Sequence, residues 1–378
     1  MQGAECLPKG EQCCGDAVSP AGATATHATS EGVMDIEEII GFEALYNSMN
    51  KCVKGVLWKD GVACFYHNWI REILRLEREL HDGTYRERKA KFFEVTEPKQ
   101  RMIMSIAFRD RVFQRSLNDV AIYPATTRSF IYDNHACQKG KGTDKAKERL
   151  LGFIRAFYRK YGTDGYVLQC DIKGYYPNMQ HDVAKKVLRK YLDDDVFCLV
   201  EPVLDNFPGE VGFNPGSQII QIVGITAPNR LDHIIKERLR IKYYIRYMDD
   251  FILISHDKSE LEHALVCIKN TLAELGMELN AKKTGIYPIT KGIKFLGFYF
   301  TLKETGKVVV SIDPKKVKHE RRKLRRMAAL VKRGKKSKET VDEHFASWKV
   351  HASYGDSYKM LQRMDEFYKE LWRENDGI

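Results

Sequence analysis

No apolar run in this 378-residue chain approaches the roughly 18 residues that a membrane-spanning helix needs. The N-terminus lacks a basic stretch followed by an apolar one, so no export signal is expected. Cysteine and histidine spacing of the zinc-binding kind is also missing. The nine cysteines (Cys6, Cys13, Cys14, Cys52, Cys64, Cys137, Cys170, Cys198 and Cys267) are odd in number and mostly in apolar surroundings. They read as free thiols in a reducing compartment, which points to the cytoplasm. Residues 1–33 have almost no aliphatic side chains and much Ala, Gly, Thr and Ser, a composition that predicts a disordered tail. Acidic charge is in deficit. A formal charge of +11 and a pI near 9.0 suit a polyanionic partner, although a basic chain can also be merely soluble.

Against these absences stands Tyr243-Tyr-Ile-Arg-Tyr-Met-Asp-Asp-Phe-Ile-Leu-Ile-Ser255. Two apolar, β-prone arms flank Asp249 and Asp250, which reads as two buried strands joined by a tight turn. Burying neighbouring carboxylates is costly unless a positive charge pairs with them, and hard oxygen donors suit Mg²⁺. A solvated Asp-Asp turn is the plain alternative, so a further carboxylate has to decide. Tyr166-Val-Leu-Gln-Cys-Asp-Ile-Lys-Gly-Tyr-Tyr-Pro-Asn178 supplies one: a short strand ends at Asp171 before Gly174 and Pro177 break it. A strand-end Asp with a hairpin Asp pair suits two-metal phosphoryl transfer, in which ions about 3.5–4 Å apart serve the attacking and leaving oxygens.

These two blocks resemble the palm of reverse transcriptases, Tyr247-Met-Asp-Asp250 matching the catalytic hairpin and Asp171-Ile-Lys-Gly-Tyr-Tyr176 the first catalytic strand. The resemblance implies that Asp171, Asp249 and Asp250, with Ile172, hold two Mg²⁺ ions, Mn²⁺ being a substitute. It also implies that Tyr176 stacks under the sugar and excludes a 2′-hydroxyl. Further blocks follow in the family's order. Residues 92–106 read as two strands around Pro98-Lys-Gln-Arg101, resembling the fingers that hold the incoming triphosphate. Lys99 and Arg101 are then phosphate contacts, Arg101 the better suited through its fork. Arg109 and Arg111 brace the finger helix or touch template. The glycines of residues 130–143 lack Walker spacing and fall in a template-supporting block, where His135 beside Cys137 reads as structural.

Amphipathic spacing predicts helices over residues 67–80, with Trp69, Ile70, Ile73, Leu76 and Leu80 on one face, over 181–193, and over 260–275. Gly212-Phe-Asn-Pro-Gly-Ser-Gln-Ile-Ile-Gln221 opens an apolar helix reaching Leu239 and interrupted by Pro228. It resembles the block that cradles the nascent base pair. Pro215 stands where many relatives carry Gln, Gly216 is kept, and Ile220-Gln221 falls where diversity-generating retroelement enzymes carry Ser-Gln; another placement puts Ser217-Gln218 there. Pro215 has no side-chain donor, which predicts modestly lower fidelity unless Gln218 or Gln221 reaches the sugar. Leu279-Asn-Ala-Lys-Lys-Thr284 resembles the block whose Lys protonates departing pyrophosphate, with Lys283 the candidate and a plain surface Lys the alternative. Phe295-Leu-Gly-Phe298 resembles the primer-grip hairpin, where Gly297 allows close backbone approach to nucleic acid.

Residues 311–340 hold thirteen Lys or Arg against three Asp or Glu. A charge run is commonly a solvated face. Here it is expected to be a helix binding the duplex backbone, through Arg321, Arg322, Arg325 and Arg326. The expected architecture is α+β: a right-hand fingers–palm unit with an antiparallel palm sheet over residues 34–305, then a basic helical thumb over 306–378. The implied activity is RNA-directed DNA synthesis with dNTPs, on an RNA template with a DNA or RNA primer, by a compact bacterial or phage retroelement enzyme. No room is expected for an RNase H, endonuclease or maturase segment. An accessory protein or dedicated structured RNA fits as a partner, and a membrane does not. Two other readings stand: an anti-phage defence polymerase using little or no template, and a non-catalytic RNA-binding protein on a polymerase fold, which the three retained carboxylates disfavour.

Overall fold

Apolar residues three and four apart build the first helices: α1 (Glu37–Ile40), α2 (Phe42–Cys52), α3 (Asp60–His67) and α4 (Trp69–His81). The computed structural model describes residues 35–95, 100–214 and 216–373, which but for Asp35 fall in one unit, Ile36–Ile378. The tail expected at residues 1–33, Lys99 and Pro215 lie outside the described residues, as does the side chain of Arg101.

The single helix expected over residues 67–80 is broken at Asn68, whose φ of −109° and ψ of 24° leave the helical region. Its side-chain amide donates to the Cys64 carbonyl, a local bond that competes with the helical ladder. α4 restarts with Ile73, Leu76 and Leu80 buried, and Ile70, expected among them, faces outward. A two-stranded hairpin follows, β1 (Lys91–Val95) with β2 (Arg101–Ser105), as the sequence predicts. Then come α5 (Phe108–Leu117), a π-helical turn, and α6 (Tyr123–Thr127). Arg109 is buried on α5, bonded to Glu79 at 2.5 Å and lying over the Tyr85 ring, so it braces α5 against α4.

The central sheet has strand order β4-β5-β3-β6, antiparallel throughout: β3 (Tyr166–Asp171), β4 (Tyr243–Tyr247), β5 (Asp250–Ser255) and β6 (Gly285–Pro288). Asn134 adds a single parallel bridge to Arg246 beside β4. α7 (Thr143–Tyr161) buries Leu150, Phe153, Ile154 and Phe157 in one cluster with Val167, Ile245, Ile252 and Ile254 of the sheet. Between β3 and β4 run α8 (His181–Leu188), α9 (Asp194–Asp205), α10 (Gln218–Thr226) and α11 (Asn229–His233). The helix expected to reach residue 193 stops at Leu188, because Asp193 instead caps α9, accepting from the Val196 N–H. Pro228 separates α10 from α11 as expected. After β5, α12 (Lys258–Glu274) buries Leu261, Ala264, Ile268 and Leu272 against the sheet.

A second antiparallel sheet, β7 (Ile293–Phe295), β8 (Phe298–Leu302) and β9 (Val308–Ile312), packs into the same core through Phe295, Phe298 and Phe300. The boundary expected at residues 305/306 falls in its β8–β9 turn. The helices begin at Pro314: α13 (Pro314–Lys332), α14 (Lys338–Ala352) and α15 (Tyr358–Glu370), closing over Leu324, Met327, Val341, Phe345, Met364 and Phe367. The fold is thus α+β, with an antiparallel sheet and a helical C-terminal region. The described cysteines are free thiols, and no helix among the described residues is long and apolar enough to cross a membrane.

Candidate active site

Strand alternation sets the site. On β3, Val167, Gln169 and Asp171 share one face; the register places Ile254, Ile252 and Asp250 of β5 opposite them. Val167, Ile252 and Ile254 sit in the core under α7, and the same face ends in Asp171 directly across from Asp250. Asp249 lies in the two-residue turn beyond, after Met248, which takes a left-handed φ of 56°. The Asp249 carbonyl accepts the Ile172 N–H at 3.0 Å, tying the turn to the end of β3.

Lys283 donates to Asp171 Oδ2 at 2.6 Å, and the Asn280 amide to Oδ1 at 3.2 Å. The strand end fixes that segment: the Asn280 N–H donates to the Asp171 carbonyl, and Ile172 bridges Leu279. Burial pushes the Asp250 carboxyl up to about 7; the neighbouring charges of Asp249 and Asp171 add to this, and a bond from Gln169 and the charge of Lys283 oppose it. Gln169, Asp171, Asp250, Lys283, Lys294, Leu296 and Gly297 line a cavity of about 420 Å³. Asp249 is not among those lining residues.

The far wall is the β7–β8 turn. Leu296 and Gly297 both have positive φ, 49° and 89°, as a two-residue hairpin requires. A side chain at Gly297 would collide with the Lys316 ammonium. Lys294 pairs with Asp313 at 2.6 Å, and the Asp313 N–H donates to the Gly297 carbonyl at 3.2 Å.

Tyr176 is half-buried, its hydroxyl 3.8 Å from the Met248 sulfur and packed so close to Gly224 that any side chain there would meet it. Tyr175 is buried and donates to the Gly224 carbonyl. Gly216 rests on the Met104 carbonyl of β2, leaving no room for a Cβ. Ser217 caps α10 and donates to Gln114 Oε1 at 2.6 Å. Gln221, one turn into α10, borders a separate cavity of about 170 Å³ with Arg115, Lys139 and Cys137. His135 is buried; burial, helped by Lys141, holds its imidazole down at about 4, so it is neutral.

Gln114 also donates to Glu87, which accepts a second bond from Asn206. Burial pushes the Glu87 carboxyl up to about 7, the two hydrogen bonds only partly offsetting it. The fold therefore binds this proton more tightly than the unfolded chain does. Stability falls as pH rises from the ordinary value of 4.5 through 7, and the full penalty stands above that. Glu87→Gln is expected to stabilise the protein by about 1–2 kcal/mol at pH 8 and by little at pH 5.5, less than the full shift because one amide neighbour must turn round. Urea unfolding at the two pH values checks this; equal effects at both would refute it.

The structure brings Asp171, Asp250, Lys283 and Gly297 to one cavity, with Asp249, Ile172 and Tyr176 beside it. Arg321, Arg322, Arg325 and Arg326 lie apart on α13. Arg321 reaches Met364 and the Arg363 carbonyl, and both Arg321 and Arg325 lie over the Phe367 ring. Gln169, Asn280, Lys294 and Arg246 were not expected. Gln169 was within reach of period-two counting from Asp171; Lys294 and Asn280 depend on contacts far apart in the chain. Among the described residues no three His, Cys, Asp or Glu side chains form a ready-made metal cage. The donor set still fits a divalent cation: all carboxylate oxygen, with Asp250 raised by burial and by its two acidic neighbours, and one ammonium already drawn to Asp171.

No curated protein sequence matches the chain. Among solved structures it is similar to apo telomerase from Candida tropicalis truncated from its C-terminal domain (14% identity, 59% of this chain and 55% of that one, TM-score 0.42). It is also similar to Candida albicans telomerase in complex with a TWJ fragment of telomeric RNA (11% identity, 76% and 55%, TM-score 0.46). The chain thus spans about half the length of these structures. A family model described as reverse transcriptase (RNA-dependent DNA polymerase) matches residues 88–300, which take in the β1–β2 hairpin, the strands that carry Asp171 and Asp250, and the Gly297 turn. With more than half of the chain matched and the site's carboxylates inside that span, the chain belongs to the reverse transcriptase family.

Proposed function

We propose that this protein extends a primer 3′-hydroxyl with dNTPs on an RNA template, in the cytoplasm, as the polymerase of a bacterial or phage retroelement. The observation that carries this reading is the placement of Asp171 opposite Asp250 at the open end of the sheet, with Asp249 in the adjoining turn. Two Mg²⁺ ions, held by these three carboxylates and the Ile172 main chain, would activate the attacking oxygen and stabilise the leaving one. The protein's own groups do the rest. Lys283 would give a proton from Nζ to the leaving pyrophosphate. Lys99 and Arg101 grip the triphosphate, and the Gly297 turn supports the primer end. The arginines of α13 hold the duplex backbone without reading its sequence. An accessory protein or structured RNA would supply the choice of template.

Extension of a labelled primer on a defined RNA template, with and without Mg²⁺, tests the reading. Untemplated tailing at the same rate would favour the defence-polymerase alternative, and no incorporation on any template would refute catalysis. Tyr176 bears on substrate choice: wedged between Met248 and Gly224, its ring closes the space beside the turn. Tyr176→Ala is expected to raise ribonucleotide use relative to deoxyribonucleotide use by roughly tenfold or more, since a steric gate rejects by excluded volume. Competition assays with paired dNTP and rNTP measure this; unchanged discrimination would move the gate off Tyr176.

A further inference from the structure

Arg246 lies in β4, where a strand buried on both faces calls for an apolar side chain. It is 0% exposed. Asp232 of α11, equally buried, accepts from it twice, from Nε at 2.8 Å and from Nη2 at 2.6 Å, and also accepts the Tyr244 hydroxyl. That neutralises the charge but does not use all five guanidinium N–H groups. Two further bonds go to main-chain carbonyls on different elements: Nη1 to Met248 at 3.2 Å and Nη2 to Ile225 at 2.9 Å.

Both carbonyls matter to the site. Met248 is the left-handed residue of the turn that carries Asp249 and Asp250. Such a conformation in a non-glycine residue persists only when its surroundings hold it. Ile225 lies in the last turn of α10, the helix that Gly216 and Ser217 open. Pro228 has no N–H to return to the Gly224 carbonyl, so the helix end is left to side chains, Tyr175 on Gly224 and Arg246 on Ile225. A lysine could pair with Asp232 but could not also reach two carbonyls in different directions.

We propose that Arg246 is a positioning residue that fixes the Asp249–Asp250 turn to α10, so that one buried guanidinium sets the carboxylates' geometry for the divalent ions. The inference deepens the polymerase reading and rests on it for its meaning, but not for its test.

Mn²⁺ serves as the probe, titrated by electron paramagnetic resonance into the full chain without nucleic acid. Arg246→Lys is expected to weaken Mn²⁺ binding about tenfold, since the ligands lose their fixed spacing. In extension assays the Mg²⁺ concentration for half-maximal rate should rise in parallel, with the dNTP KM within about twofold of parent. A second variant, Arg246→Met with Asp232→Leu and Tyr244→Phe, removes the buried polar group as a unit, a replacement that commonly preserves folding. It should show the same loss of Mn²⁺ affinity. Leu45→Ala, a buried truncation on α2, controls for stability alone. Parental Mn²⁺ affinity in either Arg246 variant would overturn the proposal, as would an equal loss in Leu45→Ala. If the parent extends no primer yet its Mn²⁺ affinity depends on Arg246, the positioning role stands and the polymerase reading fails.

Discussion

Asp171→Asn and Asp249→Ala should each lower RNA-templated primer extension by roughly a thousandfold or more, while melting close to the parent. The activity loss follows from removing an oxygen donor where charge develops in the transition state. The small stability loss follows from what the carboxylates touch. Asp171, whose own side chain is 13% exposed, bonds Lys283, which is 54% exposed, and the Asn280 amide. Exposed ion pairs contribute about 0–1 kcal/mol, and the ammonium end of this one is open to solvent. Asp250 differs: burial, with the charges of Asp249 and Asp171 added to it, holds its carboxyl up to about 7. Asp250→Asn removes the cost of a buried charge and that repulsion, so it should lose activity yet melt no lower than the parent in buffer free of divalent ions. Gel-resolved extension alongside thermal melts reads both quantities. Extension within tenfold of parent by a folded Asp171→Asn protein would mean that the reaction centre lies elsewhere.

The second large effect is expected on α13. Changing Arg321, Arg322, Arg325 and Arg326 together to Gln should weaken binding to template–primer duplexes of every sequence alike. It should also flatten the plot of log affinity against log salt by up to about 0.9 for each phosphate no longer neutralised. The structure divides the four. Arg321 and Arg325 cover Phe367 and Arg321 reaches across to α15, so the pair Arg321→Gln/Arg325→Gln should also lower the melting temperature. Arg322 is exposed, and Arg322→Gln should change the salt slope with no change in melting. Fluorescence anisotropy across a salt series, with melts of the same variants, separates the contributions. A quadruple variant with the parental slope would leave α13 a solvated surface.

What could be read from the residues was what short-range periodicity controls. The Tyr243–Ser255 hairpin, the strand ending at Asp171 and the finger hairpin each carry their pattern within about fifteen residues, and all three form as expected. Helix ends were less legible, because they turn on single polar side chains: Asn68 breaks one helix and Asp193 starts another. The cavity was legible only in part. Asp171, Asp250 and Lys283 sit in separate blocks that the family resemblance brought together, whereas Lys294 reaches the site through a β-sheet whose packing no local pattern announces. Arg246 was in plain view within the Asp-Asp hairpin, but a lone arginine in an apolar strand gives no sign of the Asp232 that makes its burial tolerable.

The Gly297 turn has a mechanical consequence. Its carbonyl is bonded by the Asp313 N–H, its neighbour Lys294 is paired with Asp313, and Lys316 lies where a side chain would project. Asp313 is also the cap of α13. One wall of the cavity and the first turn of the basic helix are therefore tied together through Asp313. In the proposed polymerase, tilting of that helix by a bound double strand would be felt at the cavity wall. Grip on the product and alignment of its growing end would then be coupled, and cutting the Lys294–Asp313 tie would impair both.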